Sequence, residues 1–165
     1  MKKVLSIITA LCLIFCLAGC GGYSTPTDVI TTYFESHNNN DYQDVLNCYP
    51  EQARDFFMES EGGEEGFKTM VNTLHNYGTI VYEIVKEEDI TDLSQLNLSL
   101  EFVGNTFEIS AAKKVYLKLY TKHSDGTTTP NDISDLEESV VITVLVDDSW
   151  YIFDTLVYSE DTPNE

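Results

Sequence analysis

Three histidines, four cysteines and one acidic loop are the groups in this sequence best suited to chemistry. His37 follows Ile30 by seven residues and Tyr33 by four, so it continues an apolar helical stripe. Pointed inward beside an acid such as Glu35 or Asp41, its imidazole would act as a general base. A histidine near a helix carboxyl end also bonds free carbonyls and complements the helix dipole, and this plainer role is the expectation for both His37 and His75. His123 lies in Lys122-His123-Ser124-Asp125-Gly126, which reads as a solvated turn. No two histidines have metal-ligand spacing, and neither His-Glu-x-x-His nor paired cysteines occur. The acids between Asp125 and Glu138 supply oxygen atoms but lack the spacing that wraps a calcium ion, so a solvated loop is expected there. Tyr116 and Tyr120 share one face of a strand pattern and Trp150 opens another. With Tyr33 and His37, these are the residues from which a pocket or its mouth would be built, stacking on a sugar or cell-wall fragment; cross-strand packing explains the strand aromatics more simply. A nucleophile elbow, a P-loop and a dinucleotide-binding glycine pattern are all missing, so no cofactor is expected.

The cysteines divide by position. Cys12 and Cys16 lie in an apolar run, Cys20 follows it, and only Cys48 falls in the body of the chain. One leftover thiol makes no internal bridge. Cys48 sits in a helical run with acids and no base nearby, so it reads as packed and inert. The apolar run is itself informative. Met1-Lys2-Lys3 is a positive start, and Val4 to Ala18 carry no charge, but 15 residues are short of the ~20 a membrane-spanning helix needs. A basic start, an apolar centre and small residues at its end describe an export signal. Leu17-Ala18-Gly19-Cys20 resembles the lipobox of bacterial lipoproteins. That resemblance implies that residues 1–19 are removed and that the Cys20 thiol carries a diacylglyceryl group. It places the protein on the outer face of a bacterial cell membrane. Two acyl chains anchor stably where one holds only marginally. Residues 20–24 are then the lipidated cysteine and a tether of four residues, at most about 14 Å long.

The elements that would position these groups come in two blocks. Three helices are expected first. One is capped at Ser24 or Thr25, carries the stripe Val29, Ile30, Tyr33 and Phe34, and ends at Asn38-Asn39-Asn40. The next starts at Asp41 with Tyr42, Val45, Leu46 and Tyr49; Pro50 interrupts it, and Ala53, Phe56 and Phe57 prolong its apolar face for another turn or two. After a Gly62-Gly63 loop, Phe67, Met70, Val71 and Leu74 form the third, stopped at Tyr77-Gly78. Strands follow: Thr79 to Val85 trailing into Lys86–Asp89, Lys113 to Lys122, and a hairpin of Ser139 to Val146 and Ser149 to Tyr158 around Asp147-Asp148. Residues 92–102 fit helix and strand equally. Residues 25–158 thus read as one α+β domain, three helices on a curved, mainly antiparallel sheet, followed by a frayed tail over 159–165.

Pro26-Thr27-Asp28-Val29-Ile30, Tyr33-Phe34, Asn40-Asp41-Tyr42 and Leu46, closed by Asp147-Asp148-Ser149-Trp150-Tyr151-Ile152, resemble the nuclear transport factor 2-like superfamily. The resemblance implies a cone whose helices wrap a bent sheet and leave a pocket at the open end; a cystatin-like or other helix-on-sheet fold is the alternative. The cone hosts isomerase- and dehydratase-type enzymes as well as ligand carriers, so fold alone does not choose among them.

Charge narrows the partners. The whole chain is −19; without residues 1–19 it keeps 7 basic and 28 acidic side chains over 146 residues, or −21. Nucleic acid, which needs a basic stripe, is excluded as a partner. An anionic membrane surface repels such a domain, so the anchor must be covalent. The expected function is a membrane-anchored, non-catalytic domain that binds a small ligand, a cell-wall component or a basic envelope protein. The alternatives are a pocket enzyme with a His or carboxylate base, and an acidic accessory or inhibitory subunit.

Overall fold

The computed structural model describes residues 22–93, 96, 108–130 and 139–156. Residues 1–19 (expected to be an export signal), Cys20, the tail over 159–165 and most of the ambiguous stretch 92–102 lie outside them.

Among the described residues four helices precede the sheet, one more than the sequence suggests. Helix α1, Pro26–Asn38, is capped by Thr25, whose hydroxyl accepts from the Asp28 amide at 3.1 Å. It ends as the asparagine run predicts. Asn40 takes a left-handed φ of 57°, and the amides of Asn40 and Asp41 return to the carbonyls of His37 and Ser36. Asp41 at once caps α2, Tyr42–Asn47, by accepting from the Asp44 amide at 3.2 Å. Glu51–Ser60 then forms a full helix, α3, rather than a prolonged turn of α2. Pro50 causes the separation: its extended ψ of 141° turns the chain, and its ring occupies a helix start, where no amide is needed. Gly62 and Gly63, both with φ near 87°, make the turn into α4, Glu64–Tyr77.

The sheet is antiparallel, with β1 (Thr79–Asp89), β2 (Ala111–Lys122), β4 (Ser139–Val146) and β5 (Ser149–Leu156) in that spatial order. The short β3, Thr128–Pro130, pairs with the end of β2 inside what the sequence presents as a loop. Both residues of the Asp147-Asp148 turn have positive φ, as a type I′ hairpin requires. All four helices pack on one face. Val29, Ile30, Val45 and Val71 meet Val115, Leu117 and Ile152 there, each fully buried. Burial of each such side chain contributes roughly 1.5–3 kcal/mol, making this the main core. A smaller cluster covers the opposite face, where Ala112, Ile142, Val144 and Val146 pack with Leu96. Strand β4 is therefore covered on both sides.

The two edges are closed differently. On β5, the amides of Trp150 and Ile152 donate to the carbonyls of Tyr23 and Cys48, each at 2.8 Å. Tyr23, expected in the free tether, is thus paired to the sheet. On β1, Asn38 acts as a one-residue strand: its amide nitrogen donates to the Ile80 carbonyl at 2.8 Å, and its oxygen accepts from the Ile80 amide at 2.7 Å. The far half of β1 carries a register shift after Ile84 and the charges Lys86 to Asp89, devices that discourage pairing with another chain.

Candidate functional site

Of the five residues proposed for a pocket, the fold brings two together. Tyr33 and His37, one turn apart on α1, meet edge to face at 4.6 Å between ring centres. Tyr49 extends the group: its hydroxyl lies 3.5 Å from that of Tyr33, and its ring packs on Phe57 at 4.2 Å. His37 is only 1% exposed, and neither ring nitrogen has a hydrogen-bond partner among the described residues. Burial pushes its pKa down to about 4, so the imidazole is neutral at physiological pH. Burial likewise raises the Tyr33 phenol. The group is an aromatic cluster around a neutral base, held inside the main core. Among the described residues no carboxylate bonds to His37. Glu35, the nearest acid in sequence, is exposed, and Asp41 is occupied as the α2 cap.

The other three candidates lie elsewhere. Trp150, 9% exposed, belongs to the helix-facing core near Tyr23, with the Lys113 ammonium 6.0 Å from its ring centre. Tyr116 points to the opposite face, as the alternation in β2 predicts, but it is buried. Its hydroxyl donates to Glu88 at 2.8 Å, and Lys86 covers its ring at 4.0 Å. The hydrogen bonds from Lys86 and Tyr116 hold the Glu88 carboxyl below its ordinary range. Tyr120 is half-buried on that face, opposite Val81 of β1 and Pro130 of β3. The five residues therefore occupy both faces of the sheet rather than a single pocket.

The remaining histidines are structural. His75 Nδ1 lies 2.9 Å from the Asn38 carbonyl, so it serves the end of α1 rather than of its own helix. His123, read as solvated, instead bridges the Tyr77 carbonyl at 3.3 Å and the Thr129 hydroxyl at 2.8 Å, closing the β2–β3 turn onto the end of α4. Asp125 accepts from the amide and hydroxyl of Thr127, which holds its carboxyl below the ordinary range and engages it within its own turn. No group of three or more potential metal ligands occurs among the described residues. Cys48 is fully buried; its thiol approaches the Asp44 carbonyl at 3.2 Å and the Tyr23 hydroxyl at 3.5 Å. Burial pushes its pKa up to about 11, which leaves an inert thiol.

One concavity escapes the sequence reading. An open cleft of about 320 Å³ lies among α2, α3 and the start of α4, lined by Tyr42, Gln43, Leu46, Asn47, Met58 and Glu64. The Tyr42 hydroxyl donates to Glu64 at 2.8 Å, and Lys68 pairs with Glu64 at 3.0 Å while lying over the Tyr42 ring. Leu46 and Met58 supply its apolar lining, and Gln43, Asn47 and Glu64 its amide and carboxylate groups. The available signal is the stripe Tyr42, Val45, Leu46 and Tyr49, of which Tyr42 and Leu46 are only half-buried in the fold. No helix among the described residues is long and apolar enough to cross a membrane. Comparison with protein-family models, with curated proteins and with solved structures finds no match to this chain.

Proposed function

We propose that this chain is a lipid-anchored, extracytoplasmic domain that binds a ligand or an envelope partner without catalysing a reaction. The observation that carries the reading is Leu17-Ala18-Gly19-Cys20, followed after two glycines by Tyr23, which is hydrogen-bonded to the sheet. A lipobox this close to a folded domain is the arrangement of an anchored protein, in which two acyl chains supply the membrane affinity that a −21 domain lacks. Helices gathered on one face of an antiparallel sheet agree with the nuclear transport factor 2-like cone, and the α2–α3–α4 cleft is the surface offered to a ligand. Replacement of Cys20 by Ala moves the protein from the detergent phase to the aqueous phase or leaves it unprocessed. Unchanged detergent partitioning of C20A refutes the anchor.

One observation favours an enzyme instead, of isomerase or lyase type: a buried neutral imidazole with both nitrogens unengaged is a usable base. That reading requires a substrate to reach a side chain 1% exposed, whereas the binding reading uses a cleft already open.

A further inference from the structure

Lipidation alone fixes where the chain is tied, not how the domain sits. The start of the fold supplies the missing constraint. The Tyr23 carbonyl accepts from the Trp150 amide at 2.8 Å, pinning Tyr23 to the first residues of β5. Gly22 lies so close to Ser149 that a Cβ there would run into the serine side chain. Both residues are therefore docked beside the β4–β5 turn, and only Gly21 stands between Gly22 and Cys20. Two residues of chain reach at most about 7 Å. The turn residues Asp147 and Asp148 are both exposed.

The strand register identifies the opposite end. Val146 pairs with Ser149, and Ala111 at the start of β2 pairs with Leu145, so the tie point lies at the beginning of β2. The end of β2, with the His123–Thr127 turn, lies eleven residues away, roughly 36 Å along the strand. Tyr77, 67% exposed and in ring contact with His123, belongs to that remote end.

We infer that the domain is held in one orientation, its β4–β5 turn against the membrane and its β2–β3 turn directed away from it. This inference rests on the anchoring proposed above. The partner surface at the tied end is the lipid headgroup layer, which Asp147 and Asp148 meet against the charge preference of an anionic bilayer. A tether of about 7 Å is no longer than the ~8 Å screening length at physiological salt, so repulsion cannot lift the turn clear of the surface.

The experiment uses the full processed protein carrying Cys48→Ala, reconstituted into vesicles of phosphatidylcholine with a minor share of phosphatidylglycerol and of lipid bearing a headgroup nitroxide. A single thiol is introduced as Asp148→Cys or Asp89→Cys near the tied end, or as Ser124→Cys at the remote end, and labelled with a small fluorophore. The expected result is loss of most of the fluorescence at position 148, a smaller loss at 89 and none at 124. Asp89→Cys, on a strand of ordinary conformation, keeps the test decisive if Asp148→Cys disturbs its turn. Equal quenching at 124 and at the tied-end positions overturns the orientation while leaving the anchor intact. Labelling of the C48A parent, which keeps no free thiol once residues 1–19 are gone and Cys20 is lipidated, shows that the anchor was not made and overturns both.

Discussion

His37→Phe tests how the core holds its one buried imidazole. The wild-type ring is 1% exposed, touches Tyr33 edge-on and bonds to nothing through either nitrogen. Its pKa of about 4 in the fold lies below the ~6.5 of an unfolded chain, so the unfolded state takes up the proton first. The sign follows. Stability is full above pH 6.5, falls as pH drops through the interval between the two values, and levels off below pH 4. From the two pKa values the loss between pH 7 and pH 5 is about 2 kcal/mol, growing to about 3 kcal/mol at pH 4. Phenylalanine removes this term and the two unengaged nitrogens while preserving the ring contact with Tyr33. The carboxylates, which also titrate in this range, are common to both proteins and cancel in the difference. Urea unfolding of wild type and H37F at a series of pH values reads that difference directly. The stability gap in favour of H37F should widen by about 2 kcal/mol from pH 7 to pH 5. Parallel curves would refute the reasoning, because they would mean that the imidazole is solvated or paired and not sealed in the core.

Two further substitutions test the scaffold. Asn38→Ala removes both bonds that mimic a strand beside Ile80, and should cost about 1–3 kcal/mol in chemical denaturation; a change below measurement error would show the β1 edge to be closed some other way. Asp148→Gly relieves a non-glycine residue at φ 61° in the β4–β5 turn and should stabilise the protein by about 0.5–1 kcal/mol, read as a higher melting temperature, whereas a fall would contradict the type I′ assignment.

The parts of the fold legible in the sequence are those set by short-range chemistry. Thr25 and Asp41 are helix caps, Asn40 is a left-handed stop, and the alternation in β2 correctly separates Val115 and Leu117 from Tyr116. What escaped depends on partners distant in sequence. Strand β1 continues through Glu87 to Asp89 because Lys113 lies across from them, at 3.1 Å from Glu87 and 3.7 Å from Asp89. Strand β3 exists only by pairing with the end of β2. The second hydrophobic cluster is signalled by the apolar run Val140–Val146, interrupted only by Thr143, which marks a strand covered on both faces. At the candidate site, the stripe placed His37 on the buried side of α1, but nothing local reveals that both its nitrogens lack partners. The cleft between α2 and α3 is equally nonlocal, since the break at Pro50 sets Met58 opposite Leu46.

The central claim, a domain held on the membrane through Cys20, is tested most directly by intact-mass and amino-terminal peptide analysis of protein taken from bacterial membranes. The expected chain begins at Cys20, with residues 1–19 gone and the mass of a diacylglyceryl group on its sulfur. A chain that retains Met1, or one cut elsewhere with Cys20 unmodified, would contradict it.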